Sequence, residues 1–477
     1  MKWRKAVYAK GSQPPGLPHA LPPSPDGEGE TRAASRGEVA EKHTYSSDKR
    51  LSRRHFLSWA FTAAPVLLLP RLQIARPPLT IAMPALTDSL DPHTASARRD
   101  WLVVRQVFDT LVEYGENSAI QPALAQSWTL DETGATFTLR ASVTFHNRTP
   151  FDADAVVFNV ERILTDHPSR AALRALMGDI AGAQALDSRT VRIFTRAADP
   201  LLLRRLTHLP IAAPRSDDMR YRAFGTGAFM AGEYRPNRYL DLSAFPEGWR
   251  GIGAVESARL IAIDDPQRML GALQRGEADI LAETQTEFLA GIARIYPVAA
   301  RTDGTCVLLR LNLSAEPLLN APEVQQALSL AMDRRFIAQI VYSAFADAAG
   351  QIAPPGFPDH DAAITPPDYN RELALALLND ADASPLSLTV GGTNEWERAI
   401  AGLVIEFLNA VGIEGELAEG GALMVEMRDF SALRDTAAVD SALIPLVHPQ
   451  TAFPLSPGVD ASVAPDGVIR LRDVTRR

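Results

Sequence analysis

The sequence predicts a mixed α/β protein with more than one core. Three observations carry this. Short apolar runs with period two alternate with runs that place apolar residues at i, i+3, i+4 and i+7. Acidic and Asn residues stand where helix N-caps are needed. No self-similarity occurs at the period of about 20–50 residues that marks solenoids. With 477 residues, 46% of them apolar, the chain is long enough for two or three cores.

Thr80-Ile81-Ala82-Met83 reads as a buried first strand. Asp100 to Tyr114 reads as a helix with Leu102, Val103, Gln106, Val107, Thr110 and Leu111 on one face. Thr136–Arg140 and Val143–Phe145 alternate as half-buried antiparallel strands do. Asp152 is positioned to cap a helix that carries Val156, Val160, Ile163 and Leu164. Asp187 to Phe194 is another alternating strand. Asp265-Pro266 starts a helix that Gly276 ends, and Ala278 to Leu281 follows as a strand. Pro322 begins a helix with Val324, Ala327, Leu328 and Ala331 inward. Asp333 caps the next, with Phe336, Ile337, Ile340 and Val341.

Charge is unevenly distributed. Residues 1–75 hold 12 Lys+Arg against 6 Asp+Glu, and the remainder holds 36 against 51. An acidic body lacks the basic footprint that nucleic acid requires. Residues 1–50 are poor in apolar side chains and rich in Pro, and are expected to be disordered. Residues 51–75 read as a signal segment, in which Arg53, Arg54, Phe56 and Leu57 precede an apolar stretch from Trp59 to Leu69. The paired arginines resemble the twin-arginine export signal, so export to the periplasm is expected.

Catalytic and metal motifs are absent. No HExxH, no GxSxG, no Walker loop and no Cys/His cluster occurs, and the single cysteine, Cys306, lies in an apolar run. The chain is read as a non-enzyme with no cofactor and no metal site. A periplasmic hydrolase built around His208 or His448 stands as the minor alternative.

A linear order of motifs says more. Asp91-Pro92 is followed by Phe108-Asp109-Thr110-Leu111-Val112, by Gln121-Pro122-Ala123-Leu124-Ala125-Gln126-Ser127-Trp128, and by Val143 to Val156. Gly225-Thr226-Gly227-Ala228-Phe229, Leu273 to Ile280 and Ala327 to Arg334 come later. This order resembles the family 5 extracellular solute-binding proteins, the oligopeptide, dipeptide and nickel receptors of ABC importers. The resemblance implies a two-lobe periplasmic-binding-protein-like fold with mixed sheets, an extra N-terminal subdomain and hinge crossings. It also implies a peptide or peptide-like small solute, an ABC permease as partner, and a monomer. A receptor paralogue that docks on a membrane partner without transporting a solute is the alternative within the same fold.

The family's chain order, with composition breaks at Tyr114-Gly115 and Ala300-Arg301, places lobe one at 76–115, 190–300 and 441–477. It places a subdomain at 116–189 and lobe two at 301–440. The second lobe is short. Fewer than 35 residues separate Ile413 from Ile444, and the family's Trp-x-x-Asp-Tyr-x-Asp-Pro type motif is missing. Asp429 and Asp435 lie in that stretch without matching the acid that holds a peptide's amino terminus in the family. The expected ligand contacts are Thr226 and Gly227 in a permissive turn, Asn312 at a strand end, and Trp396 beyond the Gly391-Gly392 turn.

Overall fold

The computed structural model describes residues 77–214, 218–357, 359–383, 385–429 and 443–477. The disordered-leader and export-signal assignments, with Arg53, Arg54, Phe56 and Leu57, lie outside these residues, as does Asp435. The described chain is α/β with two mixed sheets, one smaller antiparallel sheet and two antiparallel strand pairs.

The first sheet has five strands. Leu79–Met83 pairs in parallel with both Ser257–Ala262 and Ile280–Leu281, while Tyr239–Ala244 and Phe229–Arg235 continue it antiparallel. Its alternation puts Leu79, Ile81 and Met83 into a core with Val103, Val107, Leu240, Leu260 and Phe453. The helix Arg98–Val107 covers this sheet. Asp100 accepts from the backbone N–H groups of Ser96 and Ala97 and so closes its first turn.

That helix is shorter than the apolar spacing predicts. Phe108 is extended, and Asp109 and Thr110 use their side chains elsewhere, Thr110 Oγ1 donating to Val112 O at 2.7 Å. Val112–Tyr114 is a strand instead. Side-chain hydrogen bonding to the local backbone has outcompeted the helix.

The smaller sheet is antiparallel throughout, in the order Ala125–Asp131, Gly134–Leu139, Thr190–Thr195, Ile180–Asp187. Asp152 caps the helix Ala153–Leu164 at 3.0 Å through Ala155 N. This sheet holds Thr190–Thr195 as an inner strand, and its core takes in Leu202, Leu206, Leu209 and Ile211. The unit therefore extends past residue 189, because strand pairing and apolar burial continue there. Val143–Phe145, expected as a strand, makes a single bridge from Thr144 to Pro150. Phe145 and Phe151 close a local turn against the core, which satisfies the backbone without a partner strand.

The third sheet has seven strands and a core of its own. Thr305–Leu311, Leu386–Gly392, Ile413–Leu417 and Leu423–Asp429 pack against the helices Pro322–Ala331, Arg334–Val341, Arg371–Asp380 and Glu395–Ala410. Its longest strand, Leu443–Pro454, belongs to both lobes. The first half pairs with Thr305–Leu311 and buries Leu446 and Val447 in the second core. The second half pairs with Val298–Thr302 and buries Phe453 in the first core. Among the described residues the chain passes between the first sheet's core and this one twice, once at Thr302-Asp303-Gly304-Thr305 and once along this strand. Beyond it, Val468, Ile469, Leu471 and Val474 complete the first core.

Candidate functional site

The Gly225-Thr226-Gly227 turn lies against the end of the helix Arg98–Val107. A Cβ on Gly225 would stand 2.0 Å from Val107 O, and one on Gly227 would stand 2.5 Å from Gln106 O. The glycines are required by this close backbone approach. Thr226 is fully buried, and its hydroxyl donates to Asp109 Oδ2 at 2.9 Å. Trp249 Nε1 donates to the same oxygen, and Arg250 Nε donates to Asp109 Oδ1 at 2.6 Å before forking onto Glu113. Burial would raise the Asp109 pKa, but the Arg250 guanidinium outweighs it and holds the carboxyl below its ordinary range. His146 Nε2 closes the turn against Gly227 O at 2.9 Å. These contacts join helix, turn and strand into one fixed unit.

Asn312 follows the strand Thr305–Leu311, where its N–H donates to Ala422 O at 2.7 Å and its carbonyl starts a turn. Trp396 packs on the second core and meets Tyr342 edge to face, with ring centroids 5.7 Å apart. Thr226 and Gly227 thus sit on the first core and Trp396 on the second.

A cavity of about 320 Å³ brings together segments that are far apart in sequence. Arg98, Trp101 and Arg105 line it from one face of their helix, at i, i+3 and i+7. Leu176 and His208 come from the segment of the smaller sheet, Asp303 and Thr305 from the first crossing, and Asp466 from the returning chain. Larger hollows exist, of about 480 Å³ around Phe336 and Tyr369 and about 410 Å³ around Tyr239 and Arg259. Each of those is lined by one lobe alone. None of Thr226, Gly227, Asn312 or Trp396 lines the 320 Å³ cavity.

The cavity wall is charged and tightly paired. Arg98 pairs with Asp303, Arg105 lies 2.9 Å from Asp466, and Arg470 reaches the same Asp466 oxygen at 2.5 Å. Burial would raise the Asp466 pKa, but Arg470 and Arg105 bring it down to about 2. Burial, reinforced by Arg105, lowers the His208 pKa to about 4, so its ring is neutral at pH 7. Trp101 places its ring under the Arg105 guanidinium at 5.0 Å and meets His208 edge to face at 5.6 Å.

Sequence reasoning missed these residues. The i, i+3, i+7 spacing of Arg98, Trp101 and Arg105 is a usable signal, overlaid in sequence by the stronger apolar stripe of the same helix. Asp303 and Asp466 carried no signal, since each reads as an ordinary turn residue before Gly304 or Gly467.

Hydrolytic chemistry finds no support among the described residues. His208 Nδ1 meets Thr207 Oγ1 at 3.0 Å, and His448 Nδ1 meets Thr305 O at 3.3 Å. Neither stands beside a Ser or Cys nucleophile. Cys306 is buried, which pushes its thiol pKa up to about 12. No group of three or more His, Cys, Asp or Glu able to hold a metal occurs among the described residues.

The chain is 25% identical over 377 residues to a di/tripeptide-binding protein of Pseudomonas aeruginosa, covering 70% of each. It is 25% identical over 394 residues to the nickel-binding periplasmic protein of Escherichia coli, covering 74% of this chain and 73% of that one. Among solved structures, an ABC transporter substrate-binding protein from Sinorhizobium meliloti superposes with a TM-score of 0.72 at 19% identity, over 84% of this chain and 100% of that one. A nickel ABC transporter protein from Bacillus halodurans gives 0.71 at 22% identity, over 83% and 99%. This chain shares their two-lobe fold. Residues 119–426 match the description of the middle region of the bacterial extracellular solute-binding proteins, family 5, and the chain belongs to that family.

Proposed function

We propose that this protein is the periplasmic substrate-binding component of an ABC importer. It captures a peptide or peptide-like small solute between its lobes and presents it to an inner-membrane permease. The observation that carries this reading is the cavity of about 320 Å³ whose walls come from both sides of a hinge crossing. Such a cavity changes shape when the lobes move, so a solute held there favours one lobe arrangement over the other. That differential affinity is what a permease can read. Relatives that bind di- and tripeptides or nickel support the solute class in its broad form.

The chain acts as a monomer without catalytic activity. It reaches the periplasm through the segment that contains Arg53 and Arg54. Lobe one comprises 76–115, 190–300 and 441–477, with a subdomain at 116–189 whose sheet also takes in Thr190–Thr195, and lobe two comprises 301–440. Ligand contact centres on Arg98, Trp101, Arg105 and Asp303, while Thr226 and Gly227 hold the helix that presents them.

Denaturing the purified protein and identifying the released small molecules by mass spectrometry tests the reading. A stoichiometric peptide-like solute is expected, and a solute-free protein that also binds no peptide would overturn it. Export is tested by replacing Arg53 and Arg54 with Lys, which should leave precursor in the cytoplasm.

A further inference from the structure

We propose that lobe one holds a single chloride ion in a small pit lined by Arg105, Arg250, Arg470 and Arg472. The pit is separate from the interlobe cavity. None of its lining residues comes from lobe two, and Arg105 is the one residue the two spaces share. It forms where the returning chain meets the end of the helix Arg98–Val107. Gln106 holds the backbones of Ile469 and Leu471, which brings Arg470 and Arg472 to the Asp109–Arg250–Glu113 group.

The acceptors around the pit are already engaged. Asp109 accepts from Arg250, Trp249 and Thr226, and both Glu113 oxygens accept from Arg250. The Thr110 hydroxyl donates to Val112 O, and the Gln106 amide is spent on Leu102 O, Ile469 O and Leu471 N. The donors are not engaged. The Arg105 side chain is 7% exposed, and its Nε has no hydrogen-bond acceptor among the described residues. Arg470 Nη1 is a second buried donor in the same condition. These two guanidinium groups converge on one oxygen of Asp466, at 2.9 and 2.5 Å, so a single carboxylate is divided between two cations. Burial, with repulsion from Arg470 behind it, lowers the Arg105 pKa against the pull of Asp466. Arg472 adds a further guanidinium, and its partner Asp473, 3.3 Å away, is half exposed and does not line the pit.

Size and polarity select the occupant. The space is about 20 Å³, enough for one water-sized species and too small for sulfate or phosphate. A water there needs acceptors for its own two hydrogens, and the pit offers donors instead. A halide accepts from every side and places its charge among guanidinium groups that otherwise repel one another. The ion joins Arg470 and Arg472, near the end of the chain, to Arg105 and Arg250. It therefore clips the returning segment onto the first core.

The test uses thermal melts of the full chain at fixed ionic strength, with sodium gluconate exchanged stepwise for sodium chloride. The melting temperature is expected to rise to a plateau, by at least about 2 °C, with bromide matching chloride and sulfate failing to. Arg472→Gln should remove most of the rise, and the remote exposed variant Arg335→Gln should keep it. If Arg472→Gln gives no cooperative melt, wild-type crystals soaked in bromide decide. An anomalous peak within hydrogen-bonding reach of Arg105 Nε or Arg470 Nη1 is expected there. Equal melting in gluconate and chloride, an equal rise in sulfate, or an undiminished rise in Arg472→Gln overturns the proposal. Bromide peaks confined to other places overturn it as well. Each of these outcomes leaves the solute-binding reading intact, since none of them measures solute.

Discussion

Thr451 Oγ1 donates to Asp303 Oδ2 at 2.5 Å, and the two residues sit on the two different crossings between the lobes. Asp303 precedes the strand Thr305–Leu311, and Thr451 lies in the shared strand Leu443–Pro454. Both are buried, and Arg98 completes the partners of Asp303 from the cavity side. The two crossings are therefore tied to the helix Arg98–Val107 through one carboxylate.

Replacing Thr451 with Val keeps the shape and removes the hydroxyl. A hydrogen bond to a buried charge contributes about 1–3 kcal/mol, so the unfolding free energy should fall by that amount. Urea denaturation of wild type and variant measures it. No change would mean that Arg98 and the Thr305 N–H satisfy Asp303 without the hydroxyl.

Stability should fall in two stages as the pH is lowered. His93 and His208 have folded pKa values lowered to about 4 from 6.5, with burial the first cause in both. The unfolded chain therefore takes up protons below pH 6.5 that the folded chain refuses until about pH 4, and stability drops across that window. The loss is at most about 3.4 kcal/mol for each ring. The geometry agrees for His93, whose Nδ1 faces Arg162 Nη1 at 2.6 Å while Nε2 meets Pro210 O at 3.0 Å, an arrangement that suits the neutral ring. Asp466, lowered to about 2 from 3.8, adds a second loss between those values, because protonation favours the unfolded state there. Denaturation midpoints at pH 7, 5, 3.8 and 2 test both stages, and a flat profile from 7 to 5 would contradict the first.

Gly225→Ala should cost about 1–3 kcal/mol, since its Cβ would meet the backbone oxygen of Val107 and the Phe108 ring. Gly420→Ala meets nothing within 4 Å and should leave the melting temperature within a degree or two. Thermal melts of the pair separate the close approach from a general intolerance of glycine replacement.

Contacts between the lobes away from the crossings should be weak. Arg204 pairs with Asp359 at 2.5 Å, but Asp359 is 47% exposed. A double-mutant cycle on this pair should give a coupling of about 0–1 kcal/mol. A larger value would indicate a lock that resists lobe motion.

Much of the fold was legible because it rests on local chemistry. Asp152, Asp265 and Asp333 each cap the helix their position predicts, and the strand through Val307 and Leu309 is as apolar as a central strand must be. The errors lie where a side chain overrides a pattern. Thr110 continues an apolar stripe yet bonds to its own backbone, and Val143 to Phe145 alternates without any strand beside it. The cavity was illegible for a different reason. Arg105 and Asp466 meet only because the chain returns to its first helix, and nothing local to either residue announces that return. The Gly225-Thr226-Gly227 turn is ambiguous in another way, because glycines that admit a helix end look the same in sequence as glycines that admit a ligand.

The return of the chain sets a constraint on synthesis. Gln106 accepts from Leu471 N and donates to Ile469 O, so the helix that opens lobe one is bonded to a segment translated more than 300 residues later. While the ribosome is still making lobe two, the apolar face around Val103 and Leu260 lacks Ile469, Leu471 and Val474 as its cover. The nascent chain must carry that sticky surface until translation has passed Val474. A holdase bound early, released only once the last core segment is supplied, is the kind of help such a topology demands.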